Sequence, residues 1–146
     1  MDQDSSVEVR IVTSWNPDEI ISLYHLMGWW QDYARPSEVP LLIAGSLAFA
    51  VAIERRTGRA VGTGRVISDG ISDAYIQDLV LAPEFRRRGI GKQLLQVLLD
   101  RCKAAGITWI GLIAEEDATE FYLSQGFFPM PKSVPMLYSE ALLHAR

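Results

Sequence analysis

Three short apolar runs follow one another between residues 47 and 81, and this succession restricts the possible folds more than any other feature. Leu47 to Glu54 and Ala60 to Ser68 flank the sequence RRTGR, a glycine-containing turn that predicts a β-hairpin. Asp69-Gly70 marks a second turn, and Ala74 to Leu81 forms a third run. Strands joined by turns this short run antiparallel, so the segment predicts a three-stranded meander.

A helix and another strand are predicted after the meander. Between Gly89 and Ala105 the apolar residues recur on one helical stripe, and Gly106 is placed to end the helix. The residues of this stripe are Ile90, Leu94, Leu98 and Cys102. Ile107 to Ala114 is nearly continuously apolar, which is typical of a strand covered on both faces. A helical crossover joins parallel strands, so we expect this strand to run parallel to the third meander strand.

The amino-terminal part predicts one more strand and a helix. Val7 to Val12 alternates apolar and polar residues, as a half-buried strand does. Asn16 to Glu19 is typical of a helix start, with Asn as N-cap and Pro in the first turn, and Gly28 ends the helix. Two prolines interrupt residues 29–46, where we expect a loop with one short helix around Ser37 to Ile43.

The carboxy-terminal part predicts a short helix over Ala118 to Gln125 and a strand near Met136 to Tyr138. Together these elements indicate an α/β fold, with a mixed central β-sheet flanked by helices. The sheet would contain an antiparallel meander plus one β-α-β crossover. A chain of 146 residues without a linker-like stretch predicts a single domain over 1–146.

Composition excludes several classes of protein. The net charge of −4 and the pI near 5.1 argue against a general nucleic-acid binder, which carries a basic face. The single Cys102 cannot form an internal disulfide, and the two histidines lack partners at metal-ligand spacing. No run of apolar residues is long enough to cross a membrane, and the start MDQDSSVEVR is unlike a signal peptide. We therefore expect a cytoplasmic protein without a metal, a membrane or a nucleic acid as partner.

The sequence EFRRRGIGKQLL, residues 84–95, concentrates positive charge at the start of the main predicted helix. A helix N-terminus exposes unpaired N–H groups and the positive end of the dipole, and together these bind phosphate. Gly89 and Gly91 would let an anion approach the backbone. The stretch predicts a site for a phosphate-rich ligand, and the alternative is a solvated basic face.

The same stretch resembles a known family. Arg86-x-x-Gly89-x-Gly91, between the strand AYIQDLVLAP and an amphipathic helix, resembles the acetyl-CoA signature Gln/Arg-x-x-Gly-x-Gly/Ala of the GNAT superfamily of N-acetyltransferases. ATEFYLSQGFFP, residues 118–129, is similar to a second family segment, Ala-x-x-Phe/Leu-Tyr-x-x-x-Gly-Phe. The order of the predicted elements also resembles the family's acyl-CoA N-acyltransferase fold. The resemblance covers nearly the whole chain.

The resemblance implies acetyl-CoA as co-substrate and assigns residues to it. Backbone N–H groups of the loop would hold the pyrophosphate, and the strand before the loop would pair with the pantetheine arm. The implied residues are Leu79, Val80, Leu81, Arg86, Arg87, Arg88, Gly89, Ile90, Gly91 and Lys92. The resemblance also implies that Tyr122 is the general acid for the departing thiolate. The alternative for Tyr122 is a core aromatic residue.

Asp78 is our candidate to deprotonate or orient the amine. Strand alternation would place Ile76, Asp78 and Val80 on one face, where apolar neighbours would make the carboxylate a better proton acceptor. Asp78 could also serve only as a hydrogen-bonding residue of its strand. Glu115 and Glu116 compete for the role, and water is a further alternative.

Aromatic residues after the first helix are candidates for the acceptor site, which the family builds from variable loops. Trp29, Trp30 and Tyr33 could form a wall for the amine, or they could pack as a hydrophobic lid. Glu115 stands where the family often has Asn, three residues before the Ala of the second segment.

The resemblance implies an acetyl-CoA-dependent N-acetyltransferase that acts on a primary amine of a small molecule by direct attack in a ternary complex. Two alternatives stay open: a catalytically inactive CoA-binding module, and an acetyltransferase of a protein amine. A homodimer is possible, because dimers are common in the family.

Overall fold

The computed structural model describes residues 5–31 and 35–138. The chain forms two compact units, Met1–Leu112 and Ile113–Arg146. In the first unit the strands are β1 (Val7–Ile11), β2 (Ala48–Glu54), β3 (Ala60–Ser68), β4 (Asp73–Leu81) and β5 (Trp109–Gly111). Its helices are α1 (Pro17–Leu26), α2 (Val39–Ala44) and α3 (Ile90–Ala104), with 3-10 turns at Pro36–Glu38 and Pro83–Phe85. The second unit contains a 3-10 turn at Glu116–Ala118 and α4 (Thr119–Ser124).

The five strands form one sheet in the order β1-β2-β3-β4-β5. The pairs from β1 to β4 are antiparallel, and β5 runs parallel to β4. The meander, the crossover and the α/β class that the sequence predicts are therefore confirmed. Consecutive turns and one helical connection leave few other ways to arrange these strands.

Helix α3 packs across one face of the sheet with an entirely buried stripe. The buried residues are Ile90, Leu94, Leu95, Leu98 and Cys102, so the stripe predicted from the sequence is core. Gly62 and Gly64 of β3 lie under this helix. A Cβ at Gly62 would come within 3.2 Å of Leu94 Cδ1, and one at Gly64 within 3.1 Å of Leu98 Cδ1. The absence of side chains at the two glycines lets the helix approach the sheet closely.

Helix α1 packs against β3 and β4 on the opposite face. Its start is the one expected from the sequence, because Asn16 Oδ1 accepts hydrogen bonds from the N–H groups of Asp18 and Glu19, at 2.9 and 3.4 Å. Gly28, with a φ of +77°, follows its end. The helix buries Ile20, Ile21, Leu23 and Tyr24.

Two predicted strands at the carboxy-terminal side differ from the structure. β5 spans only Trp109–Gly111 instead of 107–114, and Trp109 is 39% exposed, because β5 is an edge strand that pairs with β4 over three residues. The expectation of a strand covered on both faces was therefore wrong. The expected strand at Met136 to Tyr138 is also absent, and these residues are exposed without regular structure.

Candidate active site

A β-bulge interrupts β4 at its centre. Thr63 of β3 pairs with Val80 and Arg65 pairs with Gln77, so the single residue between them on β3 opposes two residues on β4, Asp78 and Leu79. Asp78 has a φ of +56°, in the left-handed region that Asp and Asn tolerate better than most residues. Bulges of this kind redirect side chains and end regular pairing.

The bulge changes the face that the later residues of β4 occupy. Ile76 pairs with Val66 on the α3 face, whereas Val80 pairs with Thr63 on the α1 face. The prediction that Ile76, Asp78 and Val80 share one face is therefore wrong, because the extra residue shifts the strand's alternation by one position.

Asp78 makes an ion pair with Arg65 on the α1 face. Arg65 Nε donates a hydrogen bond of 2.8 Å to Asp78 Oδ2, and the two side chains are only 18% and 24% exposed. A charge-assisted bond this short holds the carboxylate in one position. The surroundings of Asp78 are thus charged, not only apolar as the sequence suggested.

Tyr24 of α1 is the buried polar neighbour of this pair. The residue is 1% exposed, and its hydroxyl finds no hydrogen-bond partner in the part of the chain that the structure describes. Burial, and less strongly the charge of Asp78, raises the pKa of Tyr24 well above its usual range, whereas Arg65 opposes this. The phenol therefore keeps its proton. An enclosed hydroxyl without a partner costs about 1–3 kcal/mol.

The sequence pattern did not indicate a role for Arg65, and it indicated Tyr24 only as one residue of an apolar helical stripe. The available signal for Arg65 was a charged residue inside an otherwise apolar strand, GTGRVI. A charge in such a position needs a partner.

The expected aromatic wall lies beside Tyr24. Trp29 and Trp30 are half-buried and contact the Tyr24 ring edge to face, with centroids 5.8 and 5.2 Å away. Trp30 has a φ of +62°, and its carbonyl oxygen lies 3.2 Å from His25 Nε2. Tyr33, the third residue of the predicted wall, lies outside the described residues.

The loop before α3 presents a row of backbone N–H groups. Among the described residues, the N–H groups of Arg87, Gly89, Ile90, Gly91 and Lys92 donate to no other group of the chain. Arg87 and Gly89 have φ values of +62° and +78°, and α3 has no side-chain N-cap. Left-handed residues within a turn that leads into a helix N-terminus form a concave anion-binding surface.

Two of the three arginines in this loop also support its conformation. Arg86 Nε donates to the Leu81 carbonyl at 3.2 Å. Arg88 Nη2 donates to Ser6 Oγ at 3.0 Å, and its guanidinium lies 4.9 Å from the centre of the Phe85 ring. Their side chains are exposed, so they also contribute positive charge to the surface of the loop.

The last part of β4 has an open edge. β5 pairs only with Asp73–Tyr75, so Leu79–Leu81 has β3 on one side and no strand on the other among the described residues. An extended chain can add to such an edge through main-chain hydrogen bonds. The predicted pantetheine-binding residues Leu79, Val80 and Leu81 lie along this edge.

Tyr122 belongs to the second compact unit, on α4. It is half-buried and contacts Phe121 and Phe127 edge to face, with ring centroids 5.1 and 5.7 Å away. Burial first, and then the negative charge of Glu115, raises the pKa of Tyr122 to about 12. The phenol keeps its proton at neutral pH, and Glu115 is itself exposed.

Within residues 5–31 and 35–138, no group of three or more His, Cys, Asp or Glu side chains is placed to hold a metal ion. None of the described helices has the length and apolar character needed to cross a bilayer.

Comparisons with known proteins place these features in a family. Residues 12–127 match the family model described as Acetyltransferase (GNAT) family. The uncharacterized N-acetyltransferase ycf52 of Pyropia yezoensis is 28% identical over 124 residues, which are 81% of this chain and 71% of that one. GCN5-related N-acetyltransferase 1, chloroplastic, of Arabidopsis thaliana is 30% identical over 125 residues, 86% of this chain and 62% of that one.

A solved structure shows the same fold. The GNAT family acetyltransferase from Streptococcus pneumoniae superposes with a TM-score of 0.76 at 24% identity, and the match covers 92% of this chain and 98% of that chain.

Proposed function

The chain belongs to the acetyltransferase (GNAT) family and is an N-acetyltransferase, and from this premise we propose a specific reaction. The chain transfers the acetyl group of acetyl-CoA to a primary amine of a small molecule, by direct attack in a ternary complex. The observation that carries the proposal is the loop before α3 together with the open edge of β4. Within the described residues, five backbone N–H groups of this loop donate to no other group, those of Arg87, Gly89, Ile90, Gly91 and Lys92.

The loop and the open edge supply complementary parts of an acetyl-CoA site. A pyrophosphate carries negative charge and several acceptor oxygens, and the loop offers N–H donors at the positive end of α3. A pantetheine arm contains amide groups, which can bond to the main chain of Leu79–Leu81. The exposed side chains of Arg86, Arg87, Arg88 and Lys92 add positive charge around the phosphates.

The reaction needs two proton movements. The free amine attacks the thioester carbonyl, a C–N bond forms and the C–S bond breaks. The amine loses a proton to Asp78, directly or through water, and the sulfur gains one. Since Asp78 lies at the bulge just before Leu79–Leu81, it is the acid of unit one nearest in sequence to the pantetheine-binding edge.

Tyr122 is the proposed donor to the sulfur. A phenol with a pKa of about 12 is a weaker acid than a thiol, whose pKa is about 8.5. Complete transfer of the phenol proton to the sulfur is therefore unfavourable. Tyr122 acts first by donating a hydrogen bond that stabilises the developing thiolate. A hydrogen bond to a charged group stabilises it by about 1.5–3 kcal/mol.

We propose a single catalytic domain over 1–146, a cytoplasmic location and a possible homodimer. The word "chloroplastic" in the name of the Arabidopsis relative applies to that protein. Glu115 of the second unit is a competing proton acceptor and, in the position of the family's Asn, a proposed contact to the substrate.

The test is a thiol-release assay with purified protein, acetyl-CoA and a panel of amines. The proposal expects CoA release that depends on both the protein and an amine. Acetyl-CoA binding without release for any small amine would contradict it. Release with peptides alone would favour a protein amine, and no release with any amine would favour the inactive CoA-binding module.

A further inference from the structure

The ion pair between Arg65 and Asp78 leaves several polar groups unused. Arg65 bonds through Nε alone, and Nη1 and Nη2 make no hydrogen bond within residues 5–31 and 35–138. Asp78 bonds through Oδ2, and its Oδ1 accepts no hydrogen bond from the same residues. The unused groups are mainly donors, together with one strong acceptor.

Such a set of groups suits a ligand that carries both charges. Guanidinium nitrogens in a fixed fork bind a carboxylate in preference to neutral groups. A carboxylate oxygen binds an ammonium or an amine hydrogen. Because the ion pair is mostly buried and has no net charge, a simple alkylammonium would add an unbalanced charge to it. A zwitterion has no net charge and would therefore leave the charge of the site balanced.

The spacing of the pair limits which zwitterion can bind. Arg65 Nε and Asp78 Oδ2 are 2.8 Å apart, so the ligand's amine and its anionic group must also lie close together. Only one or two carbons separate the two groups in an α- or β-amino acid. In a phosphorylated amino sugar, several bonds separate the amine from the phosphate, so the pair cannot hold both groups.

We propose that the acceptor of the acetyl group is an amino carboxylate, bound with its carboxylate on Arg65 and its amine on Asp78. The proposal rests on the acetyltransferase reaction described above and names its substrate class. The products are an N-acetylamino acid and CoA, with the amine proton passed to Asp78 or water. Arg65 then determines specificity, and Asp78 serves both to bind and to deprotonate the amine.

The first test compares substrates on the unaltered protein. CoA release is measured with amino acids, their amides and the corresponding amines without a carboxyl group, for example tryptophan, tryptophanamide and tryptamine, with glucosamine-6-phosphate as a separate arm. We expect kcat/KM at least about tenfold higher for an amino acid than for its amide, the effect of one lost charged hydrogen bond. An amide is the less basic amine and has more free base at pH 7, so amine ionisation cannot produce this preference.

The second test changes Arg65. Arg65→Gln should lower kcat/KM for the amino acid by at least about tenfold and for the amide by less than about threefold, with Arg65→Lys in between. Arg56→Gln, which removes an 83% exposed arginine of the β2–β3 turn, is the matched control and should change neither value. If Arg65→Gln fails to fold, the substrate comparison on the unaltered protein decides the question alone.

The outcomes separate this inference from the proposed function. CoA release with amides and simple amines at rates equal to or above those for amino acids would overturn the inference and leave the proposed function standing. A preference for glucosamine-6-phosphate would do the same. Release with no amine at all would contradict the proposed function itself.

Discussion

The two ends of β4 differ in their pairing, although they belong to one strand. Asp73–Tyr75 has β3 on one side and β5 on the other, whereas Leu79–Leu81 has β3 alone among the described residues. The bulge at Asp78 lies between them. The first end holds the sheet together, and the second leaves main-chain groups without a strand partner among the described residues, next to the charged side chain of Asp78. A single inserted residue therefore separates a segment that pairs on both sides within the sheet from a segment that we propose to bind the cofactor.

The largest effect on kcat is expected outside β4, at the other proposed proton transfer. Tyr122→Phe removes the hydroxyl that we assign to the sulfur and keeps the packing against Phe121 and Phe127. A lost hydrogen bond to a developing charge should lower kcat at least about tenfold, with acetyl-CoA affinity nearly unchanged. Steady-state kinetics and calorimetry measure both. Tyr138→Phe, at a fully exposed position, is the control. A kcat within about twofold of the unaltered protein, where chemistry limits the rate, would assign the proton to another donor.

Two aspartates of β4, Asp73 at its first residue and Asp78 at the bulge, allow this difference along the strand to be tested. Asp78→Asn should lower kcat/KM about tenfold and remove or shift the acidic limb of its pH profile. Asn tolerates the left-handed backbone as well as Asp does, so strain cannot produce this result. Asp73→Asn, at the exposed first residue of β4, should leave the profile unchanged.

Equal pH profiles of kcat/KM for Asp78→Asn and the unaltered protein would show that Asp78 takes no part in the proton transfer. Loss of the limb only in Glu115→Gln would assign the role to Glu115. If neither variant moves the limb, it reports the ionisation of the substrate amine, with water as the proton acceptor.

The smallest effect concerns stability near the bulge. Tyr24→Phe removes an enclosed hydroxyl without a partner, so the free energy of unfolding at pH 7 should stay equal or rise by up to about 1 kcal/mol. The raised pKa of Tyr24 means that the folded state favours the protonated phenol over the phenolate. The stability that comes from this preference is fully present below the unfolded pKa of about 10. It is lost as the pH rises above that value.

The measurement is urea denaturation at pH 7 and at about pH 11. The unaltered protein should lose more stability between these two values than Tyr24→Phe does. An equal loss in both proteins would show that Tyr24 ionises in the folded state as it does in the unfolded chain.

The sequence predicted the parts of the fold that depend on local signals. The turn RRTGR, the N-cap at Asn16 and the stop at Gly28 act over a few residues, so the elements beside them were predicted correctly. The extent of β5 was not, because an apolar run shows that a segment prefers a strand but not how many residues find a partner.

The candidate site was predictable where it depends on a motif and unpredictable where it depends on register. The N–H groups of Gly89, Ile90, Gly91 and Lys92, which donate to no group within the described residues, follow from a loop that ends in a helix N-terminus. The pairing of Asp78 with Arg65 follows from the bulge, and one extra residue leaves no trace in an apolar pattern. Tyr24 joins them only through the packing of α1 on the sheet.

We propose that the loop before α3 holds the pyrophosphate of acetyl-CoA through its backbone, and Gly91→Glu is the variant that tests this binding. Titration of acetyl-CoA by calorimetry compares this variant with the unaltered protein and with Gln96→Glu, which adds the same charge at an exposed position of α3. Bulk and negative charge among the N–H groups should weaken binding at least about a hundredfold, whereas Gln96→Glu should change it by less than about threefold. Unchanged affinity in folded Gly91→Glu protein would contradict the claim.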